Sequence, residues 1–138
     1  MKIVKWFAVL CLAAAACDLA EGQEFRPYAA ARLDPKASQQ ASGRGAKCEV
    51  YTTTDAFEKV YAWYKSLYKE YAWPVRPPKL PSGKEIQWAY FILDGGKDLA
   101  HSKYWMKVQR PYIGSVDDGT LDFTDIRDLT VIQTVRRN

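Results

Sequence analysis

Histidine is nearly absent from this sequence, with His101 the only one. Cysteine is scarce too: Cys11, Cys17 and Cys48. A zinc site takes three or four Cys or His ligands, so Cys48 and His101 do not make one unless carboxylates supply the rest. Hydrolytic triads need a base beside a nucleophile, and a lone histidine in an expected turn is more often simply polar. Glycine-rich phosphate loops are missing. "LDGGKD" has two glycines but lacks the Lys-Ser/Thr pair of a P-loop and reads as a hairpin turn. No metal and no cofactor is therefore expected, and the chain is expected not to be an enzyme.

Long apolar runs are also missing. The run Trp6–Ala16 has eleven residues, short of the about 20 that span a bilayer, and nothing later is long enough. Lys2 and Lys5 precede it and small residues follow, which is the layout of a secretory signal peptide. Ala20 and Gly22 occupy the positions a signal peptidase reads, so cleavage is expected after Gly22, leaving Gln23 first. The alternative is "AAAC", a lipobox-like stretch that would lipidate Cys17 and anchor the protein to a membrane, although Ala14 stands where a Leu is usual. The expected location is periplasmic or secreted, with membrane attachment only if Cys17 is lipidated.

The chain carries 20 Lys and Arg against 16 Asp and Glu. The first 22 residues hold two of each sign, so the net charge of +4 is unchanged after their removal. That mild excess favours anionic surfaces slightly; it and export both argue against a nucleic-acid partner. Cys48 would then be the one remaining cysteine. No internal disulfide is expected, and a buried inert thiol is the plainer reading.

Three organisational units are expected: the leader 1–22, a segment 23–46 with one short helix, and a domain from 47 to 138. In "LDPKASQQASGRG", Asp34 caps a helix, Pro35 opens it and Gly43 stops it. Its small apolar surface predicts a place on the outside of the domain. "KCEVYTTT", residues 47–54, predicts a strand. Asp55 and Glu58 have the spacing of a capping box, which starts a helix at 56; Pro74 ends it near Trp73.

That helix would be about 28 Å long. Phe57, Val60, Tyr61, Tyr64, Leu67, Tyr68 and Tyr71 recur at spacings of three and four and form one stripe, with charged residues on the other side. Rings sorted by face predict packing against a sheet. Residues 74–85 contain four prolines and read as a stiff connector. Strands are expected over 85–93, 102–113 and 128–137, with a turn at Asp117-Asp118-Gly119. The expected fold is α+β: an antiparallel four-stranded sheet with one long helix on one face, in the order β-α-β-β-β.

The stretch "YTTTDAFEKVYAWYKSLY" resembles a pattern of small exported bacterial α+β proteins: a strand ending in Thr-x-x-Asp, then a helix with Val and an aromatic-Tyr pair. The resemblance is good over residues 47–73 and loose beyond. It implies a fold and an envelope location. The group has no established activity, so no functional residues come with it.

Acidic residues cluster at Asp117, Asp118, Asp122, Asp125 and Asp128, but not at calcium-loop spacings, which predicts a solvated loop. No carboxylate pair, Glu49 and Glu85 included, stands out for glycoside cleavage. The sharper candidate is "SKYWMKVQR". Alternation puts Lys103, Trp105 and Lys107 on one strand face, with Arg110 after them. Trp beside cations suits an anionic or sugar-bearing partner. The plainer alternative covers Trp105 with the N-terminal segment or with residues 74–85 and leaves the lysines merely solvated.

The leading expectation is a non-enzymatic envelope protein that works by binding an anionic envelope component or another envelope protein. The alternative is a small apolar-ligand carrier, with a pocket between helix and sheet lined by Tyr61, Tyr64 and Tyr68.

Overall fold

The computed structural model describes residues 24–116 and 123–138. Its elements are β1 (Arg32–Leu33), α1 (Pro35–Ala41), β2 (Ala46–Thr53), α2 (Phe57–Leu67), β3 (Lys69–Tyr71), β4 (Gln87–Ile92), β5 (Tyr104–Arg110), β6 (Tyr112–Val116), β7 (Phe123–Arg127) and β8 (Thr130–Arg137). Six strands form one antiparallel sheet in the order β1-β2-β8-β5-β4-β3, and β6 pairs with β7 in a ladder of its own. This corrects the expected architecture. The protein is mostly β, with two short helices, and not a four-stranded sheet under one long helix.

The main departure lies at residues 68–73. The aromatic stripe predicts a helix to Trp73, but α2 stops at Leu67 and Tyr68 turns extended (φ −129°, ψ 157°). Two forces outweigh helix propensity there. Tyr68 is pinned: its hydroxyl donates to Glu24 O at 2.8 Å and accepts from Arg26 N at 2.8 Å. The outer edge of β4 would also be left with unpaired backbone groups. β3 satisfies them, pairing Lys69 with Ile92 and Tyr71 with Tyr90. Tyr71 thereby leaves the helix stripe and joins the opposite face of the sheet.

The capping box does not form either. Ala56 is the N-cap and makes no side-chain cap bond. Asp55 instead accepts the Tyr28 hydroxyl at 2.6 Å, and Glu58 accepts Gln87 Nε2 at 2.8 Å. The Tyr28 bond, set against partial burial, holds the Asp55 carboxyl below its usual range.

The core lies between α2 and one sheet face. Val60 and Tyr64 meet Phe91, Leu93, Met106, Val108 and Ile132, all essentially fully buried. The segment before β1 belongs to this core, since Tyr28 is buried in it and Phe25 packs against it. The other face is partly covered. Asp34 caps α1 through Ala37 N at 2.9 Å, with Pro35 at the first helical position, as the sequence predicts. α1 is not simply outside, however. Ala37 is buried against Val50, Tyr112 and Val131, and Ser38 Oγ accepts Val50 N at 2.8 Å.

Candidate functional site

Side chains of a strand alternate between faces. On β4 and β5 the core takes Ala89, Phe91, Met106 and Val108. The other face therefore receives Trp88 and Tyr90 from β4, and Trp105, Lys107 and Gln109 from β5. Register sets them side by side: Lys107 lies opposite Tyr90 on one flank and Gln133 on the other, and Gln109 lies opposite Trp88.

Tyr90 is the centre of an aromatic cluster. Its ring centroid is 5.4 Å from Trp73, 6.0 Å from Trp88 and 5.9 Å from Trp105. Trp73 extends the cluster to Tyr71 and is 41% exposed. A surface hollow of about 270 Å³ runs between Trp73, Trp88, Tyr90 and the Pro74–Pro77 stretch.

Lys107 lies inside this arrangement. Its Nζ is 5.6 Å from the Trp88 ring centre and 5.8 Å from that of Tyr90, within the reach of cation–π attraction. Among the described residues it makes no ion pair. Burial alone pulls its ammonium down to about 8, and burial likewise pushes the Tyr90 hydroxyl up. Between the sheet, α1 and β6 lies a cleft of about 170 Å³, which Lys107 shares with Gln40, Gln109 and Gln133. Gln109 is buried and donates from Nε2 to Pro111 O at 3.1 Å.

The β6–β7 ladder forms one wall. Gly114 is required there, because a Cβ would stand 2.6 Å from Asp125 Oδ2. That space lets the Asp125 carboxylate grip Arg127 at 2.9 and 3.0 Å, and the Arg127 guanidinium lies 5.1 Å from the Tyr112 ring centre.

The sequence-predicted strip is split by the fold. Lys107 and Trp105 share the aromatic face, but Trp105 is half-buried and its Nε1 is enclosed without a hydrogen-bond partner among the described residues. Lys103 is exposed at the strand's start, where its backbone N–H donates to Asp94 Oδ2 at 2.6 Å. Arg110 points to the α2 side. Its Nη1 donates to Asp55 O and Thr130 Oγ1, both at 3.0 Å, and its Nη2 meets Asp128 Oδ1 at 3.0 Å. It ties loops together and does not end a surface strip.

The three tyrosines of the alternative pocket are committed to structure. Tyr64 is fully buried and donates to Arg26 O at 2.9 Å; Tyr68 is bonded to Glu24 O; Tyr61 donates to Glu70 Oε2 at 2.6 Å near the surface. His101 sits in an exposed turn, Nδ1 2.7 Å from Asp98 Oδ1. Cys17, the cleavage position after Gly22, and Asp117, Asp118 and Asp122 lie outside the described residues.

Trp73, Trp88, Tyr90, Gln40 and Gln133 were not singled out by sequence. "EIQWAYFIL" reads as one apolar run, and the parity that separates Trp88 and Tyr90 from Ala89 and Phe91 was its only signal. Compared with known proteins, the chain matches no family model, no curated protein and no solved structure.

Proposed function

We propose that this chain is an exported, non-enzymatic protein of the bacterial envelope, and that it binds an anionic envelope component on the sheet face opposite α2. The observation that carries this is Lys107. It is a half-buried cation, flanked by Trp88 and Tyr90, with no carboxylate partner among the described residues. A charge held away from water without a countercharge is costly unless something supplies one. The aromatic surface around it offers stacking faces, and the hollow by Trp73 extends the contact area. The carrier reading is less favoured, because side chains fill the space between α2 and the sheet and the tyrosine hydroxyls are already used. Export rests on Lys2, Lys5 and the apolar run Trp6–Ala16, with cleavage after Gly22 or lipidation at Cys17 as the two routes.

The test is binding of the mature chain to immobilised acidic polysaccharide at low and high salt. Binding that Trp73→Ala reduces and that salt weakens only in part is expected, because a partly buried charge is screened less than an exposed one. Equal retention on a neutral polysaccharide would remove the reading.

A further inference from the structure

We propose that the cleft between α1, β6 and the sheet is a subsite for one acidic sugar unit, with Lys107 taking its carboxylate. The proposal rests on the binding reading above and names its ligand class. Three features converge. The cleft is small, about 170 Å³ against the roughly 300–1,000 Å³ of drug-sized sites, so it suits a single terminal unit and not a chain. Its polar lining is made of amides: Gln40 from α1, Gln109 from β5 and Gln133 from β8. Amides both donate and accept, as sugar hydroxyls require. The apolar part of the lining, Val50, Tyr112 and Val131, suits the C–H face of a sugar ring, while Trp88 and Tyr90 line the neighbouring hollow.

The charge argument sets the acidic group. β4 faces Lys107 with Trp88 and Tyr90, and β8 faces it with Gln133. The cleft lining adds Tyr112 from β6, Val50 from β2, and Gln40 and Ala41 from α1. The one charged residue of α1, Lys36, does not line the cleft, and Arg127 of β7 lies on the Tyr112 ring. Among the described residues none of the lining groups is a carboxylate, and Asp125, which stands against Gly114 in the β6 wall, is already engaged by Arg127. An entering carboxylate supplies the missing countercharge and raises the ammonium's proton affinity, so binding takes up a proton. Affinity should hold near neutrality, then fall by up to about tenfold per pH unit once pH exceeds about 8.

The experiment titrates the mature chain with glucuronate, galacturonate, glucose, acetate and inorganic phosphate, each at millimolar concentration, by NMR. Uronate binding that glucose does not match, that Lys107→Met abolishes and that weakens at alkaline pH is the expected result. Gln40→Ala, an exposed change on α1, should weaken uronate binding several-fold even if Lys107→Met fails to fold. Absence of uronate binding overturns the subsite, as does equal binding of glucose. Phosphate or acetate binding as well as uronate overturns the sugar assignment in favour of a bare anion site. If acidic polysaccharide still binds in a Trp73-dependent way while uronates do not, the subsite fails and the broader reading stands. If neither binds, both fail.

Discussion

Lys107 holds its ammonium 5.6 Å from the centre of the Trp88 ring, across the β4–β5 register, and pairs with no carboxylate among the described residues. The rings stabilise the charge only in part: burial still draws the ammonium down to about 8. Stability alone would favour an apolar residue at this position, and that makes the lysine informative.

Lys107→Met should therefore stabilise the fold at neutral pH, by about 1–2 kcal/mol, by removing a desolvated charge of similar volume. The sign follows from linkage. The folded-state value lies below the ordinary lysine value, so between about 8 and 10.5 the unfolded chain binds more protons and wild-type stability rises with pH. The advantage of Lys107→Met should shrink across that window. Urea melts at neutral pH and near its upper end measure this; a variant that is less stable at neutral pH contradicts it.

Tyr64→Ala should cost about 4 kcal/mol, the scale of deleting a fully buried aromatic, and it also leaves Arg26 O without its donor. Lys65→Ala on the exposed side should cost about 0.5 kcal/mol or less, since only a surface cation–π contact with Tyr61 is lost. Equal shifts in denaturation midpoint would mean that the faces of α2 are wrongly assigned.

Those faces were legible in sequence, because Phe57, Val60 and Tyr64 keep helical spacing. So were the cores of β2, β4, β5 and β8 and the Asp34-Pro35 start of α1, all local patterns. What was not legible depends on distant partners. Nothing near Tyr68 says that Glu24 O and Arg26 N will pin its hydroxyl, or that β4 needs an edge partner at Lys69–Tyr71. The site divides the same way. Alternation placed Trp105 and Lys107 on one face, but the strand register was needed to bring Trp88, Tyr90 and Gln133 beside them. Arg110 obeyed the pleat too; with Thr130 and Asp55 out of view, its turn to the other face read as the end of a strip.

Arg110→Ala should accordingly lower stability by about 1–2 kcal/mol through lost hydrogen bonds to Asp55 O, Thr130 and Asp128, and leave acidic-polysaccharide binding unchanged. Melting and binding measured on the same sample check this. Lost binding with unaltered stability would restore Arg110 to the binding surface.

Trp73→Ala should behave in the opposite way. At 41% exposure its removal should cost less than about 1 kcal/mol, while binding falls several-fold because a stacking face is gone. A large stability loss with binding intact would make Trp73 a structural cover for Tyr90.

The most direct measurement is the titration of Lys107 itself, followed by NMR in the free protein and in the protein saturated with acidic polysaccharide. The free ammonium should titrate near 8, and the bound one should move up towards the ordinary lysine range near 10.5, because the ligand's carboxylate supplies the absent countercharge. A titration that stays where it was when the polymer binds would show that the anion does not reach Lys107 and would contradict the account.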